Sequence, residues 1–182
     1  MILQEKKIFS KSGKPFTFRS ADVDDAAQMI EYLNQISLDT PYLTNEPGEV
    51  TLSVDDEEKF LTRIKADARS LMLVVLHGDE IIGAANVNPV SSKPRMCHRC
   101  SIGISLKKPF WNEGIGSEMM KTLIKTATDV GFEQMELEVV VENERALALY
   151  KKFGFEICGR HPHDMKYKDG TYADVFLMVK AL

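Results

Sequence analysis

The sequence predicts a single mixed α/β domain, in which a central, mostly antiparallel sheet of about seven strands is flanked by about four helices. Apolar residues recur in the order strand, two helices, three strands, helix, strand, helix, two strands. Turn signals at His77–Glu80 and Lys168–Gly170 join neighbouring strand runs, which favours antiparallel hairpins. A length of 182 residues with 44% hydrophobic content suits one domain with a sizeable core.

The first half of the chain predicts one strand and two helices. Residues 1–15 are an N-terminal extension, which either pairs with another segment or stays loose, and the domain runs over 16–182 from a first strand at Phe16–Ala21. The first helix follows an acidic cluster, and its buried stripe is Ala26, Ala27, Ile30, Leu33 and Ile36. A long loop is predicted at Ser37–Leu52, because this segment contains two prolines and a glycine and shows no sustained periodicity of apolar residues. Ser53 then caps a second helix, whose buried stripe is Phe60, Leu61, Ile64 and Ala68.

The second half predicts six strands and two helices. Two strands surround the turn at His77–Glu80, and a third runs over 98–110. An amphipathic helix follows, ends at Gly131 and leads into an alternating strand at 135–141. Asn143 is predicted to cap a short helix that ends at Gly154, and the last hairpin turns at 168–170.

Charge and hydropathy exclude two classes of partner. With 23 basic and 27 acidic residues the net charge is −4, which argues against binding nucleic acid by broad phosphate neutralisation. The apolar run Leu71–Leu76 is too short to span a bilayer, and the N-terminus has no signal-peptide core. We therefore expect a cytoplasmic protein without a membrane or nucleic-acid partner.

The three cysteines do not resemble a disulfide framework. Cys97 and Cys100 have metal or redox spacing, and Cys158, His161 and His163 could complete a zinc site. However, the pair opens a predicted strand, where residues three apart point to opposite faces. We expect ordinary thiols and no metal.

Two glycines one residue apart, in the stretch WNEGIGSEMM at Trp111–Met120, open the third helix. A helix start has unpaired backbone N–H groups and a positive dipole end, and glycine lets the backbone approach a phosphate closely. Alone, this turn also fits a plain strand-to-helix connection or another nucleotide site, although it lacks the GK[ST] ending of a P-loop.

The turn joins a larger pattern. The strand SIGISL, the glycine turn with its helix, the strand LEVVVEN and the helix RALALYKKFGF resemble the GNAT-type N-acetyltransferases in order and spacing, from about Phe16 to the end. The resemblance implies an acyl-CoA N-acyltransferase fold and acetyl-CoA as co-substrate. It assigns the pantetheine to the backbone of Ile104, Ser105 and Leu106. It assigns the pyrophosphate to Trp111, Asn112, Glu113, Gly114, Ile115, Gly116 and Ser117.

The turn departs from the family pattern R/Q-x-x-G-x-G at two positions. Trp111 stands where many members carry Arg or Gln, and Glu113 stands where a basic residue is common. We expect the backbone to bind the phosphates, with Lys107 or Lys108 supplying the missing positive charge.

The resemblance also implies the acid of the reaction. Tyr150 corresponds to a tyrosine that lies near the CoA sulfur and protonates the leaving thiolate, and a phenol stays protonated at neutral pH. Asn143 lies about two turns earlier on the same helix face and would contact the same cofactor. From the residues alone, Asn143 could simply cap the helix and Tyr150 could simply fill the core. The oxyanion donor is expected to be a backbone N–H near Ile104.

The base has no clear signal, since Ser101 stands where many members carry a glutamate and no carboxylate occurs over 97–106. Glu138, with Glu136 on the same strand face, is one candidate, His98 is another, and an unassisted water chain is a third.

The resemblance implies that the acceptor is a primary amine of a small molecule or of a peptide or protein. By resemblance, it is selected by the loop at 37–52, with Asp39, Glu46 and Glu49, and by the region 160–174. An acidic rim favours a cationic amine. The alternative function is a catalytically weak acyl-CoA-binding regulatory module. Domains of this kind often form homodimers, but nothing in the chain fixes the oligomeric state.

Overall fold

The computed structural model describes all residues, 1–182, and contains eight strands and four α-helices. The strands are β1 (Lys6–Phe9), β2 (Pro15–Ser20), β3 (Leu71–His77), β4 (Glu80–Pro89), β5 (Arg99–Leu106), β6 (Gln134–Val140), β7 (Glu156–Lys166) and β8 (Tyr172–Ala181). The helices are α1 (Ala26–Asp39), α2 (Val54–Ala66), α3 (Ile115–Asp129) and α4 (Glu144–Lys152). The predicted fold class is confirmed.

The strands are hydrogen-bonded in the order β1-β2-β3-β4-β5-β6-β8-β7. The pairs β1–β2, β2–β3, β3–β4, β6–β8 and β7–β8 are antiparallel, and β5 pairs with β6 in parallel. The sheet has one strand more than the predicted seven, because β1 forms inside the N-terminal extension and pairs with β2. Of the residues in β1, Ile8 alone is buried, so the sequence of this strand carries almost no alternation.

The chain divides into two compact units. The first comprises residues 1–88 and 103–123. Its hydrophobic core lies between β3, β4 and the helix pair α1–α2, and it includes Met29, Tyr32, Ile36 and Leu61. Lys65 in α2 forms an ion pair with Asp22 just before α1, at 2.6 Å, so the two helices run antiparallel. The predicted cap of α2 is confirmed, since the Ser53 hydroxyl accepts a hydrogen bond from the Asp56 amide.

The second unit comprises residues 89–102 and 124–182. The parallel ladder of β5 and β6 covers only the pairs from Arg99 with Gln134 to Ser101 with Glu136. In contrast, β6 pairs with β8 along its whole length. The last hairpin turns at Gly170, as predicted. No helix in either unit is long and apolar enough to cross a membrane.

Candidate functional site

The glycine turn connects β5 to α3 in the first unit. Gly114 has a φ of +86°, a left-handed conformation that glycine adopts without strain. Its carbonyl accepts hydrogen bonds from the amides of Ser117 and Glu118. The amides of Ile115 and Gly116 belong to the first turn of α3, where no intrahelical acceptor exists. The turn therefore presents backbone donors at the positive end of a helix dipole.

Trp111 holds the turn against the end of β5. Its indole Nε1–H donates to the carbonyl of Leu106 at 2.6 Å. Trp111, which stands where many family members carry Arg or Gln, therefore fixes the turn to the end of β5. This hydrogen bond also engages the carbonyl of Leu106, one of the three residues predicted to pair with pantetheine. Asn112, the next residue, is exposed and has a φ of 66°.

The N-terminal extension holds the turn from a second side. The amide of Lys11 donates to the carbonyl of Glu113 at 2.9 Å. The hydroxyl of Ser12 donates to the Glu113 carboxylate at 2.7 Å, and hydrogen bonds from Ser12 and then Ser10 lower the pKa of that carboxyl. Glu113 is therefore ionised and engaged by the segment that connects β1 to β2.

Lys11 lies across Gly114. Its Cγ and Cε atoms are 3.5 and 3.7 Å from the position that a Cβ on Gly114 would take. This brings a lysine stem into van der Waals contact with the turn. The sequence did not predict this contact, because nothing in residues 1–15 indicated which segment they would pair with.

The two lysines predicted to supply positive charge are placed differently. Lys107 Nζ forms an ion pair with Glu80 at 2.7 Å and lies 5.9 Å from the centre of the Tyr32 ring, with 15% of the side chain exposed. Its charge is already balanced. Lys108 is exposed, and its amide donates to the Asp39 carboxylate at 2.9 Å.

Hydrogen bonds to side chains hold the end of β5 in place. The hydroxyls of Ser105 and Tyr32 are 2.8 Å apart, and burial raises the pKa of Tyr32. The Gly103 amide donates to the side-chain oxygen of Asn86 at 3.0 Å. Ile104 and Leu106 direct their side chains to the face opposite Ser105. All three predicted pantetheine residues are half-buried.

Tyr150 belongs to the second unit and lies on the buried face of α4. It is 7% exposed, and its ring centre is 5.8 Å from that of Phe155. Burial raises the pKa of its phenol to about 12, so the hydroxyl remains protonated throughout the neutral range. The hydroxyl makes no hydrogen bond within the protein, and its oxygen is not fully enclosed.

Asn143 caps α4, as predicted, because its side-chain oxygen accepts a hydrogen bond from the Ala146 amide at 3.2 Å. The side-chain NH₂ group is not used in this cap and can donate elsewhere. Gly154, with a φ of +82°, follows the helix end, as predicted.

The candidate bases have different environments. Glu138 is exposed on β6, whereas Glu136, on the same face, is bound by Arg99 at 2.6 Å. His98 is half-buried just before β5. Glu138 is thus the unpaired carboxylate of the two.

The cysteines do not come together with other ligands. Cys97 is half-buried, Cys100 is buried and Cys158 is exposed. No group of three or more His, Cys, Asp or Glu side chains is arranged to hold a metal ion.

The final hairpin carries its own polar cluster. The Asp174 carboxylate accepts hydrogen bonds from the His163 amide at 2.8 Å and from Arg160 at 2.7 Å, and these bonds lower its pKa. His161 pairs with Asp164. These residues stiffen the region predicted to select the acceptor.

Comparison with known proteins identifies the family. A model of the acetyltransferase (GNAT) family matches residues 31–155, a stretch that contains every residue predicted to bind acetyl-CoA or to take part in catalysis. The chain is 31% identical over 111 residues to the L-amino acid N-acetyltransferase AaaT of Escherichia coli (strain K12). This match covers 59% of the chain and 66% of that relative, just under two thirds of its length.

Solved structures share the fold. An acetyltransferase of the GNAT family from Streptococcus pneumoniae has a TM-score of 0.87 at 28% identity, covering 92% of this chain and 99% of that one. The yncA protein of Salmonella typhimurium, solved with its cofactor acetyl-CoA, has a TM-score of 0.79 at 21% identity, covering 92% and 94%.

Proposed function

Because the chain belongs to the acetyltransferase (GNAT) family, we propose that it transfers an acetyl group from acetyl-CoA to a primary amine by direct attack of the amine on the thioester. The observation that carries this proposal is the Tyr150 phenol, which is buried, protonated and without a partner in the protein. The ring packs in the protein while the hydroxyl oxygen is not fully enclosed, so the hydroxyl can donate a hydrogen bond to a ligand atom.

The glycine turn fits the diphosphate of acetyl-CoA. The first amides of α3 have no intrahelical acceptor, and Gly114 takes the left-handed conformation that leads into the helix. Lys11 takes the role that the sequence assigned to Lys107 or Lys108, since its stem crosses the turn while Lys107 is paired with Glu80. Its ammonium provides the positive charge that Trp111 and Glu113 do not.

The pantetheine is assigned to Ile104 and its neighbours. The parallel ladder of β5 with β6 ends after Ser101, so the later part of β5 has no β6 partner in that ladder. An extended chain of amides can add to such a strand through its backbone groups. Because the Leu106 carbonyl already accepts from Trp111, the contacts are expected from Ile104 and Ser105 more than from Leu106.

The reaction needs no covalent enzyme intermediate. The amine nitrogen forms a bond to the acetyl carbon, the carbon–sulfur bond breaks, and Tyr150 gives its proton to the departing sulfur. The proton of the amine passes through water to Glu138, which is exposed and not held in an ion pair, unlike Glu136. Backbone N–H groups near Ile104 stabilise the oxyanion.

The acceptor is proposed to be an α-amine, as found on amino acids and at peptide N-termini. The similarity to an enzyme named for L-amino acids supports this class. The loop at residues 40–53, which connects α1 to α2, carries acidic residues, including Glu46 and Glu49, that favour a cationic amine.

The test combines acetyl-CoA binding with product analysis. Calorimetry should show saturable binding of acetyl-CoA, and mass spectrometry should show an N-acetylated product from a panel of L-amino acids, their amides, short peptides, polyamines and aminoglycosides. Binding without any acetylated amine would favour the regulatory acyl-CoA-binding module. Absence of acetyl-CoA binding would contradict the proposal altogether.

A further inference from the structure

Glu57 is a carboxylate in the buried stripe of α2. It lies four residues before Leu61 and seven before Ile64, a spacing that places the three residues on one face of the helix. Leu61 packs in the core that α1 also forms. Glu57 is 4% exposed. Its carboxylate makes no hydrogen bond and no ion pair within the protein.

Burial makes an ionised carboxylate costly at this position, because the group loses part of its hydration and no partner in the protein replaces it. Its oxygens are not fully enclosed, so a ligand can reach them. The positive end of the α2 dipole does not account for the burial. Asp55 and Asp56, in the same helical turn, complement that dipole while remaining exposed. A leucine at this position would simply continue the apolar stripe. The folded protein is therefore less stable with an ionised Glu57 than it would be with an apolar residue at this position.

The location of Glu57 follows from the antiparallel helix pair. Lys65, near the end of α2, is bound to Asp22 before the start of α1. Glu57, two turns earlier in α2, therefore lies toward the C-terminal end of α1, where the loop at residues 40–53 begins. No basic residue occurs in the last turn of α1, so its negative dipole end is not neutralised there.

No cation lies opposite Glu57. The elements packed against α2 are α1, β3 and the short helix at residues 23–25. Their charged or titratable side chains are Glu31, Tyr32, Asp39, Asp24, Asp25 and His77. Of these, Asp25 is held by Arg19 at 2.6 Å, and the ring of His77 contacts Pro15. These three elements therefore supply no cation to Glu57, and no charged neighbour acts on the pKa of its carboxyl.

We propose that Glu57 binds the acceptor in its ammonium form as it enters, before the nitrogen gives a proton to water and attacks the thioester as the neutral amine. This inference rests on the proposed acetyltransferase function and names the residue that recognises its acceptor. Three large apolar side chains, Leu38, Leu52 and Val54, are exposed at the same end of the helix pair. They suit an amine that carries an apolar side chain.

The titration of Glu57 agrees with this role. Burial raises the pKa of its carboxyl, with no charged neighbour acting against the shift. An ammonium ion bound beside it would stabilise the ionised form and lower that pKa.

The test compares Glu57→Gln with Glu58→Gln, a matched change at the exposed neighbour in α2. The probe is L-leucinamide, which carries an ammonium group and an apolar side chain but no carboxylate. In Glu57→Gln, the KM for L-leucinamide should rise about tenfold or more, while kcat changes by less than about threefold. The Kd for acetyl-CoA should stay unchanged, and Glu58→Gln should behave as the parent.

The pH dependence gives a second readout. In the parent, the KM should rise as pH falls through the pKa of Glu57, because a neutral carboxyl no longer attracts the ammonium ion; in Glu57→Gln this rise should disappear. Carbon-13 NMR of labelled glutamate should show the Glu57 pKa falling when L-leucinamide is added.

An unchanged KM in Glu57→Gln, or a Glu57 titration that does not respond to L-leucinamide, would overturn the inference. These outcomes differ from failure of the proposed function, in which the parent itself binds no acetyl-CoA or acetylates no amine. In that case the NMR titration alone still decides whether Glu57 binds the cation.

Discussion

Two charged residues, Lys11 and Glu57, lie outside the glycine turn and add to the candidate site. Lys11 brings a cation to a turn whose own side chains are aromatic and acidic. Glu57 places an unpaired carboxylate where the helix pattern calls for an apolar side chain. Neither contact is local in sequence to the segments that carry the family pattern. Both residues mark positions where charge is available to a ligand.

Replacing Lys11 with Ala should weaken acetyl-CoA binding by about threefold to tenfold, because one charge contact to the diphosphate is lost. Calorimetry at low and high salt should show a smaller salt dependence in the variant. Acetyl-pantetheine, which lacks the diphosphate, should bind equally to both proteins. Lys6→Ala, an exposed lysine in β1, is the control. Equal acetyl-CoA affinity in Lys11→Ala and Lys6→Ala would refute the role of Lys11.

Glu57→Gln should increase stability at neutral pH. The folded-state pKa of Glu57 is raised above its usual 4.5 by burial, so its contribution is fully present below about pH 4.5 and is lost as pH rises through the folded pKa. Glutamine does not titrate. The free energy of unfolding in urea should therefore be higher in the variant than in the parent at pH 7, with a smaller difference near pH 4.5. A variant less stable than the parent at pH 7 would show that Glu57 has a stabilising partner.

At the scale of the element, α4 combines a structural cap with the proposed acid. Asn143 starts the helix, and Tyr150 and Leu147 bury its inner face. Nine residues are too few for a stable isolated helix, so the cap and this packing hold it in place. The position of the Tyr150 hydroxyl therefore depends on how well α4 is anchored.

Asn143→Ala should destabilise the protein by about 1 kcal/mol, because the Ala146 amide loses its side-chain acceptor. Asn143→Asp keeps an accepting oxygen and should retain nearly full stability in thermal unfolding. It also removes the NH₂ donor, so a loss of acetyl-CoA affinity in Asn143→Asp would reveal a second role in cofactor binding. Unchanged stability in Asn143→Ala would mean that the cap is dispensable.

At the scale of the whole molecule, local signals predicted most of the fold. The hairpin turns and the cap residues Ser53 and Asn143 depend on neighbours in sequence, and the structure confirms them. The helical stripes were predicted only in part, since Ala27 and Ala68 are exposed. Strand β1 depends on pairing with β2, and its four residues bury one apolar side chain, so periodicity could not identify it.

The candidate site was predictable to a similar extent. The glycine turn and Tyr150 carry local motifs, whereas the partner of Lys107 and the position of Lys11 arise from contacts distant in sequence. Glu57 did leave a signal, since it lies at i−4 from Leu61 and i−7 from Ile64 in the buried stripe. Because a charged residue is usually interpreted as solvent-exposed, the burial of Glu57 was not predicted.

The measurement that tests the central claim most directly is amine-dependent release of CoA thiol from acetyl-CoA, compared between the parent and Tyr150→Phe. Phenylalanine keeps the buried ring beside Phe155 and removes only the hydroxyl, so acetyl-CoA affinity should change little. We expect the rate to fall by roughly a hundredfold or more, because the departing thiolate loses its proton donor. A variant that releases thiol as fast as the parent, with the same acetyl-CoA affinity, would contradict the assignment of Tyr150 as the acid.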